Sequence, residues 1–331
     1  MENIRTRFIT PSQFPLVVEP LDRHLSLQEA LATLEKNYPY LRAKLLQYGA
    51  LLFRDFPIDN AHAFVSVLKR LKMGDFCNYI GGDSPRNKVV EGVYTSTEAP
   101  PSVKLPLHNE LSYVQSFPSH IHFYCEVAPK VQGETLLGDA RKIYQAIDKD
   151  VLERFEKRGL NYISCYPYKS RLMNFLNKSH KSWVNVFETE DKAEVEKKCK
   201  EHDIDFEWNK NDWIKISQLR PATLVHPHTQ EKVWFNQAHH YDLNPKFLGW
   251  RLYLGAKLLY CRKHTLLHEI YFGNRTKIPR EDLYHIMDVL DNQTVHFPWK
   301  KGDVLVLDNI LAMHGRAAFK GPRRILTAMT N

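Results

Sequence analysis

Residues 303–329, DVLVLDNILAMHGRAAFKGPRRILTAM, constrain this chain more than any other stretch. Gly302-Asp303 turns into an apolar run, a polar turn follows, and RRILTAM (323–329) opens a second run. Apolar runs of this length, bounded by turn residues, read as strands of a sheet covered by another layer. HIHFYCEVA (120–128) and KVWFNQ (232–237) carry the same signal. Helical patterns gather nearer the start. Ser26 with Glu29 three residues on is a capping-box signature for a helix over 26–49, which Gly49 closes. The strand ALLFRDF (50–56) follows, then a helix over 60–73 closed by Gly74. IGGDSPRNK (80–88) reads as a loop, 139–155 as a helix capped by Asp139, and 188–202 as a helical, charge-dense, solvated run. Together these elements predict a mainly β, α+β fold: a double-sheet jelly roll with helical additions. We expect one domain over 1–331, with an insert or lid at about 167–222.

Composition narrows the class. A hydrophobic fraction of 43% with 25% charged residues is that of an ordinary globular protein. No apolar run is long enough to span a bilayer. MENIRTRFITPSQFPLVVEP lacks the build of a signal peptide, and TAMTN carries no targeting motif, so the expected location is cytoplasmic, with no membrane partner. Cys77, Cys125, Cys165, Cys199 and Cys261 are far apart without a C-x-x-C, which excludes a disulfide framework and points to reduced, mostly core thiols. The formal charge of +8 would favour an anionic substrate, an acidic protein or nucleic acid. No RNP, helix-turn-helix or zinc-finger pattern accompanies it, so nucleic acid is not expected.

The chemistry starts at LPLHNELSY (105–113). His108 and Glu110 are two apart, so in an extended segment both face one side. An imidazole and a carboxylate so placed, with a second histidine from elsewhere, make the facial triad of non-haem iron(II) oxygenases. The pair alone is weak: 16 histidines and 38 acidic residues in 331 give about two H-x-[DE] pairs by chance. The chain has two, the other being His240-Tyr-Asp242. Context favours the first. Downstream, His314 follows a strand, and Arg323-Arg324 opens another. An arginine fork pairs a carboxylate in two places, as a keto-acid cosubstrate requires. Thr135, in QGETLLGD (132–139), offers a hydroxyl to the same carboxylate.

These segments, with IGGDSPR (80–86), GVYTSTEAPP (92–101) and VWFNQA (233–238), resemble in their order the taurine dioxygenase/TfdA family of iron(II)- and 2-oxoglutarate-dependent dioxygenases. The likeness spans most of residues 50–331 and leans toward the branch resembling syringomycin-type amino-acid hydroxylases, and more distantly clavaminate synthase. It implies a clavaminate synthase-like double-stranded β-helix. It also implies iron(II) on His108, Glu110 and His314, 2-oxoglutarate on Thr135 and Arg324, and O₂ as oxidant. The family's cosubstrate arginine is usually the second of a pair, hence Arg324. A spacing one residue shorter than in taurine dioxygenase leaves Arg323 as the alternative. Asn78, Asn109, Tyr113 and Asn236 fall in family-like stretches, where they would line a substrate pocket or hydrogen-bond loops. Arg316 and Arg323 read as surface or loop-bracing charges, and His239, His240 and Asp242 as a loop cluster rather than a second metal site.

Two departures bear on substrate. The carboxylate is present, which argues against halogenation. Taurine dioxygenase holds its sulfonate with an arginine four residues after the cosubstrate arginine, and counting from Arg324 this chain has Ala328. The expected substrate is therefore an amino acid or other amine-bearing small molecule, free or thioesterified to an acidic carrier protein. The alternative class is a jelly-roll scaffold without turnover.

Overall fold

A computed structural model describes residues 2–77, 87–96, 99–168, 182–259 and 268–331. Asn78, Cys261 and the loop 80–86 singled out above lie outside them.

Two facing sheets carry the molecule, as the jelly-roll expectation required. The larger has eight strands in the order Ile4–Phe8, Leu16–Pro20, Ala50–Phe53, Val304–Asp308, His120–Val127, Arg324–Thr330, Val93–Thr95 and Lys88–Val90. The smaller has four: Val295–Phe297, Thr135–Asp139, Ala312–Arg316 and Leu105–His108. Neighbours in the spatial order come from distant parts of the chain, the signature of a Greek-key path. Between the sheets lies a shared apolar core that includes Leu52, Phe123, Leu137, Phe297, Leu305, Ala312, Ile325 and Met329. Alternate residues of the same strands leave by the opposite face. Phe53, Tyr124, Val306, Leu326 and Ala328 pack against the N-terminal helices Leu27–Lys36, Tyr38–Tyr48 and Ala61–Arg70. This two-residue alternation buries both faces of the central strands and accounts for their near-continuous apolar runs.

The helix expected over 26–49 is two. Ser26 and Glu29 form the capping box, and the first helix ends at Asn37, whose side chain donates to Thr33 O at 2.9 Å. Pro39 in the first turn of the second lacks the N–H that would continue the ladder. Gly49 closes it at φ 72°, a left-handed conformation that favours glycine. The helix expected over 139–155 likewise splits, into Ala140–Ala146 and Lys149–Arg158, with Asp139 accepting from Arg141 N as its cap.

Described residues of the expected insert, within 182–222, contribute to a third layer. Asp205–Trp208 pairs with Ile214–Arg220, which pairs with Leu160–Tyr166, and His268–Phe272 flanks the last on its other edge. A separate apolar cluster around Tyr166, Trp183, Val195 and Ile214 supports it. The charge-dense helix Lys192–Glu201 is mostly solvated but buries Val195 and Cys199. No helix among the described residues is long and apolar enough to cross a membrane.

One buried ion pair ties the N-terminal part to the late strands. Arg54 donates to both carboxylate oxygens of Asp303, at 3.0 and 2.6 Å, and to Pro298 O at 2.7 Å. The two side chains are 5% and 1% exposed. Removing one member leaves an uncompensated charge in the core. Arg54→Met should therefore lower unfolding stability by about 3–5 kcal/mol in urea titrations, and the double change with Asp303→Leu should recover much of the loss.

Candidate metal centre

His108 ends its strand, and the antiparallel register of the smaller sheet sets it opposite His314. Their ring centroids are 4.4 Å apart. Glu110, two residues on in the following turn, brings Oε2 to 3.5 Å from His314 Nε2. One donor atom from each of the three residues lies within 4.8 Å of the others, and no other such group of three occurs among the described residues. The three side chains converge although Glu110 lies in the turn after the strand rather than in an extended segment, and the sheet supplies the third donor.

Local chemistry explains why the sequence builds this. Gly315 follows His314, and a Cβ there would meet Leu105 O at 2.5 Å and Pro106 O at 2.9 Å. Only glycine lets the His108 strand come this close. The Nδ1–H of His108 donates to Pro106 O at 2.9 Å, which leaves the lone pair of Nε2 free. Burial, reinforced by His314 and opposed by Glu110, pushes the His108 pKa down to about 3. Its imidazole is therefore neutral at physiological pH, the form a metal needs. Glu110 and His314 are 4% and 6% exposed, and His314 Nδ1 is buried without a hydrogen-bond partner. Two imidazoles and a carboxylate on one side of a small space are the donor set of a 2-His-1-carboxylate iron(II) site, and the residues fit the ion.

Sequence reasoning missed what holds Glu110. Asn309 Oδ1 accepts from Glu110 N at 2.8 Å, and its Nδ2 donates to Glu110 O at 3.0 Å and Pro118 O at 2.8 Å. One side chain thereby pairs with the backbone of Glu110 as a neighbouring strand would. Asp308 caps the same turn, accepting from Ile310 N at 2.9 Å and Leu311 N at 3.0 Å. His226 Nε2 donates to the other carboxylate oxygen of Asp308 at 3.0 Å. Burial pushes Asp308 upward, but the bond from His226 and the Leu311 amide leave its pKa net lowered. The Asp-Asn pair between a strand and a turn was the available signal, since these side chains bond nearby backbone.

The pocket beside the triad is lined by His108, Thr135, His314, Arg316, Arg323 and Thr327, among others. Of the two candidate cosubstrate arginines, Arg323 and not Arg324 lines this pocket. Arg324 is half-exposed and pairs with Glu126 at 2.7 Å. Arg323 faces the pocket, donates through Nε to Gly133 O at 2.9 Å, and is pushed down to about 10 by burial and then by Arg316. Strand parity is the reason. Arg323, Ile325 and Thr327 share the pocket face, and Leu326 and Ala328 enter the helical layer. Ala328 is thus core, not a pocket residue. Counted from Arg323, the fourth residue is Thr327, whose hydroxyl donates to His122 O at 3.0 Å. No cation stands there either.

Thr135 is buried opposite Arg316, and its hydroxyl accepts from Trp299 Nε1 at 3.1 Å. Arg316 braces a loop, donating to Ala99 O, Pro100 O and Val103 O at 2.8–3.0 Å, yet also lines the pocket. Asn236, Asn109 and Tyr113 each make contacts with the scaffold. Asn236 is fully buried, donating to Ala222 O at 2.8 Å and accepting from Ala238 N at 3.1 Å. Asn109 donates to Asn309 O at 2.7 Å. Tyr113 packs on Tyr162 and Tyr241. The rival motif is not a loop: His239 and His240 lie in the short helix Ala238–Tyr241, where His239 donates to Leu107 O at 3.0 Å, and Asp242, just past its end, accepts from Asn244 at 2.8 Å. His240, however, lies beside the triad, its ring 5.0 Å from that of His108. A wider groove of about 650 Å³, walled by Asn161, Asp205, Lys215 and Glu269 on the third sheet, shares no residue with this site.

A jelly roll with this donor set and an internal arginine defines a non-haem iron(II), 2-oxoglutarate-dependent oxygenase. The model of the taurine catabolism dioxygenase TauD, TfdA family matches residues 10–330, and the chain belongs to that family. It is 36% identical to the dapdiamide synthesis protein DdaC of Enterobacter agglomerans over 287 residues, covering 86% of this chain and 83% of that protein. It is 30% identical over 325 residues to a clavaminate synthase-like protein of Arabidopsis thaliana, covering 96% and 93%. Its fold matches AAD-2 in complex with Mn(II) and N-oxalylglycine, with a TM-score of 0.56, 14% identity and coverage of 99% and 96%. It also matches PvcB, an Fe, alpha-ketoglutarate dependent oxygenase from an isonitrile synthetic pathway, with a TM-score of 0.52, 15% identity and coverage of 100% and 92%.

Asn309 offers a direct test of the site's construction. Asn309→Asp keeps the bond accepted from Glu110 N but loses both donated bonds. Titration with Co(II), followed by its visible absorption, should give an affinity about 10–100-fold weaker than wild type.

Proposed function

We propose that this oxygenase oxidises a C–H bond of an amino acid or amino-acid-derived small molecule, with hydroxylation as the default outcome. The observation that carries this reading is the His108–His314 register with Glu110 alongside and Arg323 facing the same pocket. Iron(II) would be held by His108, Glu110 and His314. When bound, iron(II) and 2-oxoglutarate would supply the oxidising chemistry, with O₂ as oxidant and succinate and CO₂ as co-products. The chain's own residues do the positioning. Arg323, with Thr135, receives the far carboxylate of 2-oxoglutarate, and the planar fork of arginine suits two-point contact. Burial beside Arg316 makes Arg323 a poorly solvated cation, so an entering carboxylate relieves an unfavourable charge. Phe123, packed 5.1 Å from His314, and Ile325 exclude water on the inner side.

The substrate's own carboxylate finds no arginine at position 327 or 328. We read this as a masked carboxylate: an amino acid delivered as a thioester on an acidic carrier protein. The formal charge of +8 supports such a partner. The relative named for dapdiamide synthesis supports an amino-acid-related substrate.

Two experiments test these statements. Under anaerobic conditions, iron(II) and 2-oxoglutarate should produce a metal-to-ligand absorption band that His314→Ala abolishes and His240→Ala retains. Arg323→Lys should raise the 2-oxoglutarate concentration needed for the band at least about tenfold, about 1.4 kcal/mol, and Arg324→Lys should leave it nearly unchanged. The reverse order would return the cosubstrate to Arg324. For the carrier, succinate release is compared between free and carrier-loaded amino acids at low and high salt. Salt-sensitive preference for the loaded form is expected, and efficient, salt-insensitive turnover of a free amino acid would remove the carrier.

A further inference from the structure

Ten large apolar side chains are exposed among the described residues, and four of them sit on one helix, Trp250–Leu259. Trp250, Leu254 and Leu258 recur every four residues and are 68%, 54% and 80% exposed. That spacing puts them in one stripe on one face. Tyr253, 5% exposed, anchors the inner side of the helix. Apolar stripes of this kind on a folded surface mark interaction sites. Within the segment that carries the stripe the charges have one sign, and Lys246 there pairs with Asp288. Residues 243–259 contain Lys246, Arg251 and Lys257 and no Asp or Glu, and Arg251 and Lys257 are exposed.

The position of the helix matters as much as its surface. The short helix Pro245–Leu248 packs against it and carries Phe247. Phe247 stacks on His240 at 5.5 Å, and the His240 ring is 5.0 Å from that of His108. One short helix and two ring contacts therefore separate the stripe from the metal centre.

We propose that the Trp250–Leu258 face docks an acidic, helix-bearing carrier protein that delivers the substrate on a flexible arm, an inference that rests on the tethered-substrate reading above. The apolar stripe would take an apolar helix face, and Arg251 and Lys257 would meet acidic residues at its rim. A second copy of this chain fits poorly. It would bring basic flanks against basic flanks, and a ten-residue helix about 15 Å long offers less than the roughly 800 Å² per partner of a stable interface. That small size suits a partner that must leave after each turnover. A lipid surface would match the basic, apolar character of the helix, but nothing about a bilayer requires a place this near the metal. A protein delivering a tethered group requires it.

The test uses the iron-loaded enzyme and a purified acidic peptidyl carrier protein, its phosphopantetheine arm loaded with the amino acid that supports succinate release. Leu254→Glu/Leu258→Glu and Arg251→Glu/Lys257→Glu are made separately, so a fault in one does not decide the result. Both double variants should raise KM for the carrier-loaded substrate at least about tenfold, about 1.4 kcal/mol. Both should leave kcat, and turnover of the same amino acid as its free pantetheine thioester, unchanged. Carrier turnover that neither variant affects overturns the docking face and leaves the tethered substrate standing. No turnover of any carrier-loaded amino acid, with free amino acids consumed, overturns the tethered substrate and this face with it. Loss in the variants of a wild-type dimer seen by sedimentation velocity assigns the face to a second copy and overturns the proposal. So does variant-sensitive flotation with phosphatidylcholine–phosphatidylglycerol vesicles when carrier binding is unaffected.

Discussion

The antiparallel register that sets His314 opposite His108 is the constraint on which the rest of this site depends. Because side chains alternate along a strand, a slip of one residue would turn His314 away from the pocket. The surroundings resist such a slip. Gly315 admits the neighbouring backbone where any Cβ would collide with Leu105 O and Pro106 O. On the other side of the same strand, Thr135–Asp139 pairs through five consecutive residues, from Ala312 opposite Asp139 to Arg316 opposite Thr135. That second pairing also brings Thr135 and Arg316 together, so one register serves both the metal ligands and the cosubstrate pocket.

The third ligand is held differently. Glu110 lies past the end of its strand, where no ladder can hold its backbone. Asn309 supplies what the missing strand would have given, and Asp308 and His226 stiffen the turn from which Asn309 projects. This turn leads directly into the strand bearing His314, so both halves of the triad hang from one short segment. Much of the buried polar chemistry is therefore spent on geometry, and the pocket keeps few free polar groups.

Arg323 and Arg324 show how much a single position decides. The two are chemically identical and adjacent. One is buried beside Arg316, and the other pairs with Glu126 at the surface. Strand parity, unbroken along this strand, sends them to opposite faces. The same parity carries Ala328 into the helical layer and Thr327 toward the pocket.

By itself the sequence determined the local elements and the type of chemistry. The capping box at Ser26, the left-handed turn at Gly49, the late apolar strands and the His108-Asn-Glu110 spacing are short-range signals. Each depends on contacts within a few residues or on a period of two along a strand, and such signals survive in a linear reading. Family-like order in the chain carried His314 and Thr135 across the gap. The tertiary structure alone decided which arginine enters the pocket, that Asn109 and Asn236 brace loops, and that Asn309 holds Glu110 from 199 residues away. It alone placed His240 beside His108, across 132 positions of sequence. These outcomes depend on strand parity and on which distant backbone groups are left without partners, and no residue type announces either until the sheets have formed.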